Sequence, residues 1–152
     1  MKAGKFFLFV LMQAFLMLSL SGCDHRPRVI IEGGSTPRFN LTGQGKIQVI
    51  SVSGPDLERQ GPTPQAERAQ SMKVYWELVP NGDGDLRNIE ERGPLVYGQT
   101  PEGFRQNYPA EGIAPQPLFE NALFTFQLRT AEGNALGVRF TIHDGKALTE
   151  GS

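Results

Sequence analysis

One cysteine stands in the 152-residue chain, so no intrachain disulfide and no multi-cysteine metal site can form. Histidine is almost as scarce, with only His25 and His143 to serve as imidazole ligands or bases. Neither charge sign dominates: 15 basic residues face 16 acidic ones, and no block of Lys and Arg occurs. A nucleic-acid binder needs such clusters to neutralise phosphates, so that class is excluded. Long apolar runs are missing as well, with one exception at the amino end. Proline is absent from the first 26 residues and then occurs 11 times, which divides the chain into two unlike parts.

The amino-terminal part is written as an address. Met1–Lys5 supplies two lysines and no acid, and Phe6–Leu20 (FFLFVLMQAFLMLSL) is apolar apart from Gln13 and two small or polar breaks. Fifteen helical residues rise roughly 22 Å, short of the ~30 Å hydrocarbon core of a bilayer. Small residues Ser21 and Gly22 follow, which completes the layout of a cleavable export signal over residues 1–22.

Leu20-Ser21-Gly22-Cys23 resembles the lipobox of bacterial lipoproteins: an apolar residue, two small ones, then cysteine. The resemblance implies that the Cys23 thiol takes a diacylglycerol, that the signal is cut before it, and that the new amino group is acylated, typically by palmitate. Small residues let the protease reach the peptide bond, and a thiolate attacks the lipid donor. Several acyl chains hold where one gives only marginal binding, so the expected partner of Cys23 is the lipid bilayer. Asp24 resembles the signal that retains some Gram-negative lipoproteins in the inner membrane. The implied location is therefore a lipid-anchored, periplasm-facing one, inner membrane ahead of outer.

Beyond the anchor, hydrophobicity alternates with period two. Ala122, Phe124, Phe126 and Leu128 alternate with Leu123, Thr125, Gln127 and Arg129; Val138, Phe140 and Ile142 alternate with Arg139 and Thr141. Val74, Trp76 and Leu78 do the same against Tyr75 and Glu77, and Lys46–Val52 is a fourth, β-branched strand. Weaker strands are expected at Arg28–Glu32, Arg38–Leu41, Leu86–Glu90 and Leu95–Tyr97. Asp144-Gly145 predicts a two-residue hairpin turn, because both positions favour positive φ. Residues 58–71 are polar and proline-broken, and read as an exposed insertion loop, with at most one helical turn at Glu67–Met72. Seven or eight short strands predict an all-β, antiparallel sandwich of immunoglobulin or fibronectin-III type over residues 38–152, joined to the anchor by a tether over 23–37. Trp76 is its expected core anchor.

The mature chain also resembles a set of small bacterial lipoproteins with such a sandwich, through Pro37-x-Phe39-x-Leu41-x-Gly43-x-Gly45, Trp76-Glu77-Leu78, Tyr97-Gly98-x-x-Pro101-x-Gly103-Phe104 and Pro115-x-Pro117-Leu118. These motifs imply a fold and no chemistry.

Catalytic patterns are missing. There is no Gly-x-Ser-x-Gly elbow, no His-Glu-x-x-His and no phosphate-cradling loop. His25 lies two residues from Cys23, and His143 abuts the Asp144-Gly145 turn. Asn81-x-Asp83-x-Asp85 imitates the start of a calcium loop, but Leu86 stands where Gly is needed and Arg92 where a bidentate Glu is needed, so it reads as a turn. Glu90-Glu91 would point to opposite faces of a strand. Asn40-Leu41-Thr42 matches a glycosylation sequon by chance beside a bacterial lipobox. The segment Leu95–Leu118 is dense in proline and aromatics and cannot be a regular central strand. Tyr97, Phe104 and Tyr108 in it either pack against the sandwich edge or form a partner surface. The expectation is a non-catalytic, membrane-anchored module with no cofactor and no metal, binding an envelope protein or serving structurally. The competing expectation is a periplasmic enzyme or small-ligand carrier with a site assembled from loops.

Overall fold

A computed structural model describes residues 26–56, 72–82 and 88–150. Nine strands account for nearly all regular structure there: β1 (Arg28–Glu32), β2 (Arg38–Thr42), β3 (Ile47–Pro55), β4 (Met72–Pro80), β5 (Leu95–Val96), β6 (Phe104–Tyr108), β7 (Leu123–Thr130), β8 (Ala135–His143) and β9 (Lys146–Thr149). They form two antiparallel sheets, a three-stranded one in the order β1-β2-β5 and a six-stranded one in the order β6-β4-β3-β7-β8-β9.

The apolar positions of the alternating segments supply the core between the sheets. Phe124, Phe126, Phe140 and Ile142 are fully buried, as are Ile50 and Val52 of β3 and Phe39 of β2. Phe39 is where the two sheets meet: its ring lies 4.5 Å from that of Phe126, 6.1 Å from Phe140 and 6.4 Å from Trp76. Offset and edge-on ring pairs at these separations add to the gain from removing the same area from water. Trp76 is fully buried, as the alternation of β4 requires.

Three expectations need correction. The folded part begins at Arg28 rather than at residue 38, because β1 lies inside the expected tether yet pairs with β2 along its whole length, from Arg28 opposite Thr42 to Glu32 opposite Arg38. Tyr75, assigned to the wet face of β4, is buried beside Trp76. The reason is a β-bulge: Val52 pairs with Trp76 and Ser53 with Val74, which leaves Tyr75 unpaired and turns two consecutive side chains inward. Its ring meets Phe124 edge-on at 5.5 Å, and its hydroxyl donates to the Pro55 carbonyl at 2.8 Å. Of the weak strand expected at Leu86–Glu90 only residues 88–90 are described, and they hold a single bridge from Asn88 to Lys46 leading into a 3-10 turn, Ile89–Glu91, with the side chain of Ile89 fully buried. Glu90 and Glu91 are thus on a turn and not on opposite faces of a strand. The proline-dense segment has no central strand, in line with its prolines: β6 occupies the proline-free window between Pro101 and Pro109, at the edge of the six-stranded sheet.

The strand directions give the molecule two distinct ends. The chain enters β1 at the end that also holds the β2–β3 connection and the β7–β8 turn, where the Lys46 N–H donates to the Glu132 carboxylate at 3.1 Å. At the opposite end the β1–β2 turn meets the β8–β9 hairpin, and Ala147 N–H donates to the Gly33 carbonyl at 2.7 Å.

Candidate functional site

Tyr97, Phe104 and Tyr108, for which packing and a partner surface are the two expectations, separate in the structure. Tyr97 (5% exposed) and Phe104 (4%) are core residues, whereas Tyr108 is 46% exposed. The Tyr97 ring meets Trp76 edge-on at 5.5 Å, and its hydroxyl donates to the Gln116 carbonyl at 2.6 Å. Burial, reinforced by the neighbouring Tyr75, pushes the Tyr97 phenol above its ordinary value of 10.0, so it remains a neutral donor. Phe104 lies under the Arg92 guanidinium, 4.5 Å from ring centroid to cation. Packing, not docking, is what this segment does with two of its three aromatics.

The remainder of the loop is organised by a residue that carries no sequence signal. Gln106 is buried on β6, and its side-chain amide donates to the carbonyls of Pro109 (3.0 Å), Ala110 (3.3 Å) and Ile113 (2.7 Å). The Tyr108–Pro109 peptide is cis. This clamp fixes the turn after β6 and leaves Tyr108 and Ile113 on the surface.

His143 sits where expected, exposed at the end of β8 with its Nδ1 2.9 Å from Asn121 Oδ1 and its Nε2 3.6 Å from Asp144. No acid–base relay extends from it among the described residues, and no group of three or more His, Cys, Asp and Glu side chains there could hold a metal. Cys23, Asp24 and His25 lie outside the described residues, as do residues 67–71 of the expected helical turn and Asp83 and Asp85 of the imitation calcium loop.

The feature that sequence reasoning missed is on the outer face of the six-stranded sheet. A depression of about 650 Å³ opens there across β4, β3, β7 and β8. Its cross-strand row runs Glu77, Ser51, Gln127, Gly137, and the next row runs Val49, Arg129, Ala135. Small residues at Ser51, Ala135 and Gly137 make the hollow, and Glu77, Gln127 and Arg129 provide its polar groups. Two β-bulges feed it. Ile47 pairs with Thr130 and Val49 with Arg129, so Gln48 is the extra residue and joins Val49 on this face. Glu77 pairs with Tyr108 and Leu78 with Gln106, so Asn107 is extra, and its amide donates to Glu77 Oε1. Bulges re-aim side chains, and their position could not be read from a pattern of alternation that they interrupt. No family model, curated protein or solved structure matches this chain.

Proposed function

We propose that the protein is a lipid-anchored module of a bacterial envelope, tethered through Cys23, whose sandwich binds rather than catalyses. The observation that carries this reading is the distance between lipobox and fold. Four residues separate Cys23 from Arg28, the first residue of β1, and five extended Cα–Cα steps reach at most about 17 Å. A diacylglycerol on Cys23 therefore holds the domain against the bilayer surface by one identifiable end. Asp24, next to the lipidated residue, favours retention in the inner membrane over transfer to the outer one.

The sandwich is read as immunoglobulin-like or fibronectin-III-like. The order β1-β2-β5 corresponds to strands A-B-E, and β4-β3-β7-β8 to C′-C-F-G, with β6 and β9 added at the two edges of the larger sheet. Domains of this architecture present rigid faces and loop ends to partners, which supports a binding role. The hollow over Ser51 gives specific support to the small-ligand form of that role, on a sheet face instead of on loops.

The test has two arms. Cys23→Ser is expected to accumulate as a larger precursor that no longer incorporates labelled fatty acid; normal labelling of that variant overturns the anchor. Photocrosslinkers placed on the outer face of the six-stranded sheet and at Tyr108, in the full chain in native membranes, are expected to give discrete adducts. A lack of adducts from every position overturns the binding reading.

A further inference from the structure

We infer that the hollow on the outer face of the six-stranded sheet is a binding site for a short free peptide of two or three residues, held by its two charged ends. The inference rests on the reading of the domain as a binding module, and is independent of the anchor.

Along the hollow β4, β3 and β7 are paired on both sides, and only the Ala135–Gly137 stretch of β8, beyond its pairing with β9 at Phe140–His143, has an open side, so recognition falls mainly to side chains. Those side chains are unused within the fold. Ser51 is only 8% exposed, yet its hydroxyl has no partner among the described residues and lines the hollow. The Arg129 guanidinium has neither hydrogen bond nor ion pair among the described residues, and the amides of Gln48 and Gln127 are free in the same sense. Glu77 keeps one carboxylate oxygen on Asn107, which orients it and leaves the other available. An isolated solvated face needs none of this. Here two separate bulges deliver Gln48 to the hollow and Asn107 to Glu77, beside a Ser51 hydroxyl that faces the hollow.

The charges define the ligand. Glu77 and Arg129 stand two strands and two residues apart, which places their Cα atoms about 12 Å from each other. A carboxylate on one side and a guanidinium on the other complement a molecule that is cationic at one end and anionic at the other. An extended tripeptide spans about 10 Å, so its ammonium reaches Glu77 while its carboxylate meets the fork of Arg129. Ser51 and Gln127 lie between the two and suit the intervening amides, and Val49, Val79 and Ala135 supply apolar contact for small side chains. The depression, about 650 Å³ and broadly open to solvent, has room for a peptide of this size.

Trialanine is the probe, titrated calorimetrically into the full chain in detergent micelles at neutral pH and low salt. The free peptide is expected to bind, and N-acetyl-trialanine and trialanine amide are each expected to bind roughly tenfold more weakly, since each loses one charge-assisted contact. Arg129→Gln should erase the difference between free acid and amide, and Glu77→Gln the difference between free amine and acetylated peptide. Gly137→Leu should abolish binding while the protein melts as before, because a Cβ at Gly137 meets no atom within 4 Å. Equal affinity for free and capped peptides overturns the inference, as does retention of binding in Gly137→Leu. Absence of trialanine binding to the unaltered chain also overturns it, and so does binding of maltose in its place. None of these results touches the binding-module reading, which stands or falls on the crosslinking adducts.

Discussion

Trp76 occupies the middle of the interior with a defect: its indole Nε1 is buried and has no hydrogen-bond acceptor among the described residues. A desolvated donor without a partner costs about 1–3 kcal/mol, which offsets part of what the ring gains from burial. Trp76→Ala is therefore expected to destabilise by about 3–5 kcal/mol, whereas Trp76→Phe, which keeps an aromatic ring and removes the orphan donor, should cost less than about 1.5 kcal/mol. Chemical denaturation of both variants checks the pair, and equal losses would show that the N–H carries no penalty. The neighbouring segment gives a second contrast. Phe104→Ala opens a cavity in the core and should cost more than about 2 kcal/mol, while Tyr108→Ala, on the surface, should stay within about 0.5 kcal/mol. Glu132 gives the pH dependence at this scale. Its carboxylate accepts backbone N–H groups, its own and that of Lys46, and these hold it below its ordinary value of 4.5. A carboxyl with a depressed folded value contributes stability that is complete above the ordinary value and disappears as pH falls through the depressed one. Glu132→Gln should flatten the acid limb of the stability profile below about pH 4.5 and leave neutral behaviour nearly unchanged.

At the scale of elements, strand legibility depended on whether the residues around a strand agreed with it. The β8–β9 hairpin was legible because its turn demands unusual dihedrals: Asp144 and Gly145 have φ of 50° and 69°, which Asp-Gly supplies at little strain. Gly145→Val should cost about 1–2 kcal/mol by the left-handed penalty alone, measured by thermal melting. Gly34 was not legible in the same way. Its φ is ordinary, but a Cβ there would stand 2.2 Å from the Gly145 carbonyl oxygen, a tertiary approach no local pattern announces. Strand β6 was hidden by the prolines on either side of it, although an edge position asks for only one bonded side and tolerates them at its ends. The strand at Arg28–Glu32 could be seen in its β-branched run, but its membership of the domain could not, because pairing with β2 is the only thing that makes it part of the sandwich. The three bulges mark the limit most clearly. Each inserts one residue into an alternating pattern, and a pattern read by alternation assigns Tyr75 to water and sees nothing at Gln48 or Asn107. The outer-face hollow was invisible in the sequence for this reason: its floor of Ser51, Ala135 and Gly137 looks like an unremarked solvent face until the register aligns it.

For the whole molecule, the proposed anchor at Cys23 would give the two ends of the sandwich different meanings. The end at which β1 begins carries Arg26, Gln44, Lys46 and Glu132, and Arg26 packs so closely on Gly43 that a Cβ there would lie 2.4 Å from the Arg26 carbonyl oxygen. The chain is thus fixed to the fold at the last residues before the tether and cannot swing freely about a long linker. Nine residues of β3 or β8 measure about 30 Å, so the β1–β2 turn and the β8–β9 hairpin stand that much farther along the sandwich than the point of entry. The hollow beside Ser51 lies between, on a side wall, and in the proposed lipid-anchored arrangement it would face along the bilayer instead of into it. Environment-sensitive fluorophores on Gln44→Cys and Glu132→Cys, in the full chain reconstituted into vesicles, should be quenched by lipids bearing a headgroup quencher, and those on Thr36→Cys and Asp144→Cys should not. A label on Arg129→Cys should fall between these extremes. Equal quenching at all five positions would mean that the domain tumbles on its tether, and stronger quenching at Asp144 than at Gln44 would mean that the opposite end meets the membrane.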